Sequence, residues 1–205
     1  MKTPPTSLKS LLNPQYKNMI ALNGSPTQAG AAFAGVYAAA LANGGSFANI
    51  APGVSYFKQL KQAGNFVPVT GSATTMESGQ TPILVWWDYL LASEVGASYK
   101  SLKIVIPSDS HYAAYYDQAV SKYAPHPAAA RLWEEYLYSA EGQNLFLQGG
   151  TRPIELPTLV SGGTVNQAAY AALPPAPAGA MTFPSIAQQN TAENVVAQQW
   201  PTVTG

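Results

Sequence analysis

The feature that most constrains the fold of this chain is a series of short, nearly continuous apolar runs separated by helical stretches. MIAL at 19–22 and TPILVWWDY at 81–89 are runs of the kind that is buried on both faces of a parallel sheet. Residues 66–69 and KIVIP at 103–107 predict two further strands. Because these runs alternate with segments of helical periodicity, the sequence predicts an α/β fold.

The first predicted helix follows the MIAL strand and lies in AAFAGVYAAALA. Ser25 is its expected N-cap, Pro26 its first residue, and Gly44 lies just past its end. Five more helices are predicted at 55–64, 112–123, 128–139, 141–147 and 185–200. From about 155 to 184 the chain is rich in Pro, Gly and Ala, which predicts an extended wrap with one short helix.

The composition excludes several classes of function and does not by itself assign one. Of the 205 residues 47% are hydrophobic, and ten basic residues balance ten acidic ones, so a folded core is expected without a basic surface for nucleic acid. The absence of cysteine excludes disulfides and thiolate metal sites. There is no apolar run of about eighteen residues, and no phosphate-loop, dinucleotide or zinc-protease motif. No cofactor is expected.

The turn GSPTQAG after the MIAL strand is the first candidate site. Backbone N–H groups at a helix start, together with the Ser25 and Thr27 hydroxyls, favour a carboxylate, a phosphate or another anion. The alternative is an ordinary capped helix, because every strand-to-helix turn has this general form.

The second candidate is Trp87 and Asp88, at the carboxyl end of the TPILVWWDY run. Open α/β sheets hold their ligands at this end of the strands. A carboxylate beside an aromatic face suits a cationic amine, through an ion pair and a cation–π contact. The alternative is that one tryptophan is core and Asp88 caps the next helix.

The third candidate is the SDSHYAAYY stretch at 108–116. Tyrosines 112, 115 and 116 have helical spacing, so they could bind ferric iron as phenolates, stack on an organic solute, or simply pack. A hydrolase using Ser108 and His111 is a further alternative of another class. It is disfavoured because triad residues rarely meet when they crowd one turn, and no nucleophile elbow is present.

The segment 125–154, PHPAAARLWEEYLYSAEGQNLFLQGGTRPI, predicts an amphipathic helix, a second helix and a Gly-Gly stop. Leu132, Trp133, Tyr136 and Leu137 form its apolar face, for which packing is the expected role. This run follows LLNPQYKNMIALNGSPTQAG, SGQTPILVWWDYL and KIVIPSDSHYAAYYDQAVSKY, and FPSIAQQNTAENVVAQQW closes the chain. In that order the stretches resemble the extracellular solute-binding proteins of bacterial ABC importers, in the class of polyamine, ferric iron and aminoethylphosphonate binders.

The resemblance implies a type II periplasmic-binding-protein-like α/β fold, with one complete lobe plus the returning part of a second lobe. Residues 1–102 would form the contiguous lobe, 103–155 the hinge strand and the helices that return to the other lobe, and 156–205 a wrap and C-terminal helix. An export signal and most of the other lobe would precede Met1. Ser110 stands where the family usually has Gly, which puts a tight turn there in question.

The resemblance also implies binding without chemistry: no enzyme, a small-molecule solute in an interlobe cleft, ABC permease subunits as partners, a monomeric full-length protein and a periplasmic or extracellular location. Its ligand-binding residues would be Ser25, Thr27, Trp87, Asp88, Ser108, Asp109 and Tyr112. An amine or polyamine is the preferred solute. Ferric iron on tyrosines including Tyr115 and Tyr116, and an organic anion such as a phosphonate, are the alternatives.

Overall fold

The computed structural model describes residues 3–96, 98–110, 112–175 and 183–205. These residues fall into two compact units, one formed by Met1–Ala114 with Pro177–Gly205 and the other by Tyr115–Ala176. No helix in the described part of the chain is both long enough and apolar enough to span a lipid bilayer.

A three-stranded parallel sheet lies at the centre of the first unit. Strands β1 (Ile20–Leu22), β2 (Phe66–Thr70) and β3 (Ile83–Val85) are arranged in the order β2-β1-β3. Ile20 pairs with Phe66 on one side and with Ile83 on the other, and every residue of β1 is buried. The predicted parallel sheet and α/β class are therefore confirmed. The run at 81–89 is a shorter strand than predicted.

Helices cover the sheet and close the core of this unit. They are α1 (Gly30–Ala42), α2 (Ala51–Gln62), α3 (Ala73–Glu77), α4 (Asp88–Leu90) with a π-helical turn (Leu91–Val95), α9 (Ile186–Gln199) and α10 (Pro201–Thr204). Two 3₁₀ turns, Lys9–Leu12 and Pro14–Tyr16, precede β1. Ser185 caps α9 through a capping box with Gln188, so the last helix begins where the sequence predicts it.

Aromatic side chains and a glycine contact fix how α1, α2 and α9 pack. Phe57 of α2 is fully buried and meets Phe66 and Trp200 edge-on, at ring-centre distances of 5.4 and 5.5 Å. A Cβ atom at Gly53 would lie 2.1 Å from the carbonyl oxygen of Val36, so α1 and α2 approach backbone to backbone at this position. Glycine is therefore required by the helix packing here.

Two predicted elements are wrong. Residues 103–107 form no strand, although Ile104 lies against the apolar cluster of Met76 and Leu91. A strand needs a neighbour that completes its hydrogen bonds, and no described strand pairs with this run. The helix predicted at 112–123 is also absent among the described residues of that range: helical spacing is only a weak preference, and Tyr112 stacks on Tyr37 in a non-helical segment.

The described residues of the second unit form four helices and no strand: α5 (Pro127–Tyr138), α6 (Ala140–Gln148), α7 (Leu156–Ser161) and α8 (Gln167–Ala172). The segment predicted as a wrap with one helix thus has two helices, α7 and α8, within its described residues. The buried core of this unit is a cluster of Leu147, Leu159 and Val165. Helix α5 has no buried residue, and Trp133 on its apolar face is 59% exposed.

Candidate functional site

The carboxyl ends of the three strands form one edge of the sheet in the first unit. Strand β1 ends at Leu22, which pairs with Val85 at the end of β3 and with Thr70 at the end of β2. Loops that leave these residues therefore begin side by side. In open parallel sheets this edge is where ligands bind, and the predicted sites at 25–27 and 87–88 both follow strands that end there.

Asn23 connects all three strands at this edge, and the sequence analysis did not select it. Its backbone N–H donates to the carbonyl of Val85 (3.3 Å), and its side-chain Nδ2 donates to the carbonyl of Gly71 (2.9 Å). The N–H of Gly71 in turn donates to the carbonyl of Leu22 (2.8 Å). The available signal was an asparagine directly after a buried strand, a position where a side-chain amide can pair with backbone groups.

The turn that carries Ser25 and Thr27 is separate from the helix that follows it. Helix α1 begins at Gly30 with Ala29 as its N-cap, so the predicted start at Ser25 and Pro26 is wrong. The Ser25 carbonyl accepts from the N–H of Ala29 (2.7 Å), which closes a turn of its own before the helix starts. The Ser25 and Thr27 hydroxyls lie 2.8 Å apart, and Thr27 is exposed to solvent. The two hydroxyls therefore stand together near the edge.

Trp86, Trp87 and Asp88 directly follow strand β3, and their side chains lie in different environments. Trp86 packs against the apolar cluster that includes Met76 and Leu91. Trp87 is half-buried in extended backbone and immediately precedes α4, whose first residue is Asp88. The Asp88 carboxylate accepts from the N–H of Tyr89 (2.9 Å) and is itself half-buried. An aromatic side chain and a carboxylate are thus adjacent and partly accessible where β3 ends.

Asp109 joins two distant parts of the chain. Its Oδ1 and Oδ2 atoms accept from the N–H groups of Leu8 and Lys9, both at 2.9 Å, and so cap the 3₁₀ turn at the chain start. The adjacent Ser108 is exposed, and its N–H donates to the carbonyl of Thr6 (3.0 Å). These bonds assign Asp109 a structural role, on which any contact with a solute would be superimposed.

Tyr56 lies beside this connection. Its hydroxyl donates to the carbonyl of Leu8 at 2.5 Å. Burial, and secondarily the negative charge of Asp109, raise the pKa of Tyr56 well above its usual value. The phenol therefore remains a hydrogen-bond donor and anchors the residues that Asp109 caps.

Tyr112 is part of an aromatic cluster in the first unit. Its ring stacks on Tyr37 of α1, with ring centres 5.4 Å apart and planes 11° apart, and meets Phe47 at 6.3 Å. Burial raises the pKa of Tyr112. Iron binding would require the deprotonated phenol, so this environment works against the iron alternative at Tyr112. Tyr115 and Tyr116, which belong to the second unit, are 61% and 76% exposed.

Residues 1–186 match the model of a protein family described as bacterial extracellular solute-binding protein. The chain belongs to this family. A search of curated proteins finds no significant match. Membership makes the chain an extracellular solute-binding protein of ABC transport, with a small-molecule ligand and ABC transporter subunits as its partners. It confirms the general resemblance predicted from the sequence.

Bacterial extracellular solute-binding proteins are in general not enzymes, which agrees with the predicted class. The alternative hydrolase would use Ser108 with His111, and His111 lies outside the described residues. Within the described ranges, no three His, Cys, Asp or Glu side chains come together as a metal site. Ser110 is buried, and the only described non-glycine residue with a positive φ is Asn18, so Ser110 needs no glycine-like conformation.

Proposed function

We propose that this solute-binding protein captures a cationic amine or polyamine at the carboxyl edge of its sheet and delivers it to the permease of an ABC importer. The observation that carries this proposal is the adjacent placement of Trp87 and Asp88, half-buried, directly where β3 ends. An aromatic face attracts a cation through its quadrupole, and a partly desolvated carboxylate supplies a charge-assisted hydrogen bond.

The other proposed ligand-binding residues have different supporting evidence. Ser25 and Thr27 place two neighbouring hydroxyls after β1, the strand that pairs with β3, and could accept hydrogen bonds from ammonium groups. Tyr112 offers a packed aromatic ring. The roles of Ser108 and Asp109 are proposed on resemblance alone, and Asp109 already accepts two backbone hydrogen bonds.

Titration calorimetry with putrescine, spermidine, ferric citrate and aminoethylphosphonate tests the proposal. Heat is expected with at least one of the two amines. Replacing Asp88 by Asn removes the charge. A hydrogen bond to a charged group contributes about 1.5–3 kcal/mol, so its loss is expected to weaken amine affinity roughly tenfold to hundredfold. Trp87→Ala is expected to weaken the same amine by about 0.5–2 kcal/mol through loss of the cation–π contact.

Matched controls are available in the second unit. Asp117→Asn removes one carboxylate from an exposed position, and Trp133→Ala removes an exposed indole. Neither substitution should change amine affinity. Absence of heat with both amines would contradict the proposal, as would equal losses of affinity in the control and site variants.

The anion alternative is supported by the Ser25–Thr27 hydroxyl pair. Aminoethylphosphonate carries both charges, so its binding has to be compared with that of the amines. Heat with aminoethylphosphonate that disappears in Thr27→Val and persists in Asp88→Asn would favour the anion. Ferric iron bound by Tyr112, Tyr115 or Tyr116 would instead give a visible tyrosinate-to-iron charge-transfer band.

Three points about the organisation of the protein remain predictions. They are the division into 1–102, 103–155 and 156–205, the monomeric state, and the presence of an export signal and further lobe residues upstream. Limited proteolysis and gel filtration with light scattering test the first two. Reading the DNA upstream of Met1 tests the third. A continuous in-frame signal and lobe there would support the predicted organisation, and a stop codon close to Met1 would contradict it.

A further inference from the structure

We infer that Asn23 is a positioning residue for the solute site: its side-chain amide holds the segment after β2 against the sheet edge, and solute affinity depends on this connection. The inference rests on the proposed function for its effect on affinity. The inference goes beyond the proposed function by assigning a role to a residue that is not proposed to touch the solute. The first step is the bond from Asn23 Nδ2 to the Gly71 carbonyl at 2.9 Å.

Gly71 is seated too closely on the sheet to carry a side chain. A Cβ atom there would lie 2.2 Å from Cδ1 of Leu84 in β3 and 3.1 Å from Cβ of Ala21 in β1. Its own N–H donates to the carbonyl of Leu22 at 2.8 Å. The peptide at Gly71 is therefore held from both sides, by a β1 backbone carbonyl and by the Asn23 amide.

From Gly71 the hydrogen bonds continue around α3 towards β3. Ser72 and Thr75 form a capping box, in which the Ser72 side chain accepts from the Thr75 N–H and the Thr75 side chain accepts from the Ser72 N–H. The Thr75 hydroxyl lies 2.6 Å from the hydroxyl of Thr81, which is completely buried. The N–H of Thr81 also donates to the Thr75 carbonyl at 2.9 Å. A connected polar path thus runs from Asn23 to the residues just before β3.

Helix α3 links this path to the tryptophans. Met76 of α3 is buried in the cluster against which Trp86 packs, and Trp87 is the next residue in the chain. If the Asn23 amide is lost, the corner formed by Gly71 and α3 loses one of its attachments to β1. The packing of Trp86 on the cluster that includes Met76 then loosens, and the orientation of Trp87 at the edge is less well defined.

Asn65 provides a matched control at the opposite edge of the sheet. It precedes β2, is completely buried, and its Nδ2 donates to the carbonyls of Leu11 (2.7 Å) and Asn13 (2.9 Å). Like Asn23, it joins loops through a side-chain amide, but at the amino end of the strands. Asn65→Asp therefore removes a comparable side-chain connection without changing the candidate site, and it measures the purely structural effect of such a loss.

The test compares Asn23→Asp with Asn65→Asp in the full chain. Both substitutions nearly preserve shape and remove the amide donors, but each also adds a carboxylate. Asn23→Ser and Asn65→Ser, which remove the donors without adding a charge, are therefore titrated in parallel, with the same expected outcomes. Titration with spermidine and putrescine measures affinity, and hydrogen–deuterium exchange measures opening of residues 72–81. Asn23→Asp is expected to weaken amine affinity at least tenfold and to speed exchange in 72–81 about tenfold. Asn65→Asp should lower the unfolding temperature while leaving both quantities within twofold of the unsubstituted protein.

Unchanged exchange in 72–81, or unchanged affinity with faster exchange, would overturn the inference. If the unsubstituted chain binds neither amine, the proposed function fails, and the exchange measurement alone then decides whether Asn23 holds this corner. Should either aspartate variant fail to fold, the Asn23→Ser and Asn65→Ser pair alone decides, with the same expected outcomes.

Discussion

Helices α1 and α5 are of nearly equal length, 13 and 12 residues, yet they differ completely in burial. Eight residues of α1 are buried, whereas α5 has none. Helix α1 lies against strands β1 and β3 and helix α2 in the first unit. In the second unit α5 packs mainly on α6 and leaves Leu132 67% exposed. Apolar periodicity thus indicates that a helix forms, while burial depends on which elements cover it.

The largest expected difference between the two units is in the stability lost when a phenylalanine ring is removed. Phe57→Ala removes a fully buried ring that contacts Phe66 and Trp200, and should lower the free energy of unfolding by about 3–5 kcal/mol. Phe146→Ala on α6, where the ring is 38% exposed, should cost much less. Urea unfolding followed by tryptophan fluorescence and circular dichroism measures both. Equal losses would show that the second unit is packed as tightly as the first.

A glycine substitution tests the close approach of α1 and α2. Gly53→Ala forces a methyl group towards the Val36 carbonyl and should destabilise the protein by about 1–3 kcal/mol. Gly30→Ala, at the first residue of α1, meets no atom within 4 Å and should stabilise by about 0.4–1 kcal/mol. The measurement is the urea midpoint of each variant. A neutral Gly53→Ala would mean that the two helices can separate without loss.

Much of the first unit follows from local sequence, as β1, β2 and α2 illustrate. Each combines an apolar run or helical periodicity with a Gly or Asn boundary. Helix α2 begins at Ala51, earlier than the predicted 55, but Gly64, past its end, has the expected positive φ of 75°. The start of α1 was misplaced because Ser25 and Pro26 are good helix-start residues that here close a separate turn. The run at 103–107 failed as a strand because pairing is a non-local property that periodicity does not contain.

The place of the candidate residues in the fold was predictable, but their connections were not. Trp87 and Asp88 were selected because ligand sites of parallel sheets lie where the strands end, and the structure has both residues directly after β3. The bonds from Asp109 to Leu8 and Lys9 span about one hundred positions of sequence, so no local pattern indicates them. The position of Asn23 directly after a buried strand was a local signal, but the bond to Gly71, 48 positions away, was not predictable from local sequence.

A pH measurement examines the aromatic cluster on α1. Burial, with contributions from Tyr112 and Glu193, raises the pKa of Tyr37 from 10.0 to about 12. The folded state therefore keeps a proton that the unfolded chain loses, so stability is full below pH 10 and falls as the pH rises from 10 towards about 12. Tyr37→Phe should reduce this fall without abolishing it, because burial also raises the pKa of Tyr56.

The matched control for the pH measurement is Tyr138→Phe on α5, where the side chain is 53% exposed. The urea midpoint is determined below and within the pH window for both variants. The control should leave the pH dependence as it is. An unaltered slope in Tyr37→Phe would show that the Tyr37 hydroxyl, which donates to the carbonyls of Phe47 and Gln188, is reached by solvent in the folded protein.

The smallest effect is expected at the most prominent aromatic side chain of α5. Trp133→Ala removes a ring that is 59% exposed and stacks on Tyr136 at a ring-centre distance of 5.5 Å. Because most of the ring is already in contact with water in the folded protein, its removal should change the free energy of unfolding by no more than about 0.5 kcal/mol. A loss above about 2 kcal/mol, the range of buried large-to-small substitutions, would show that something covers this face. The contrast between α1 and α5 would then not hold, and the indole would join Phe57 among the core residues.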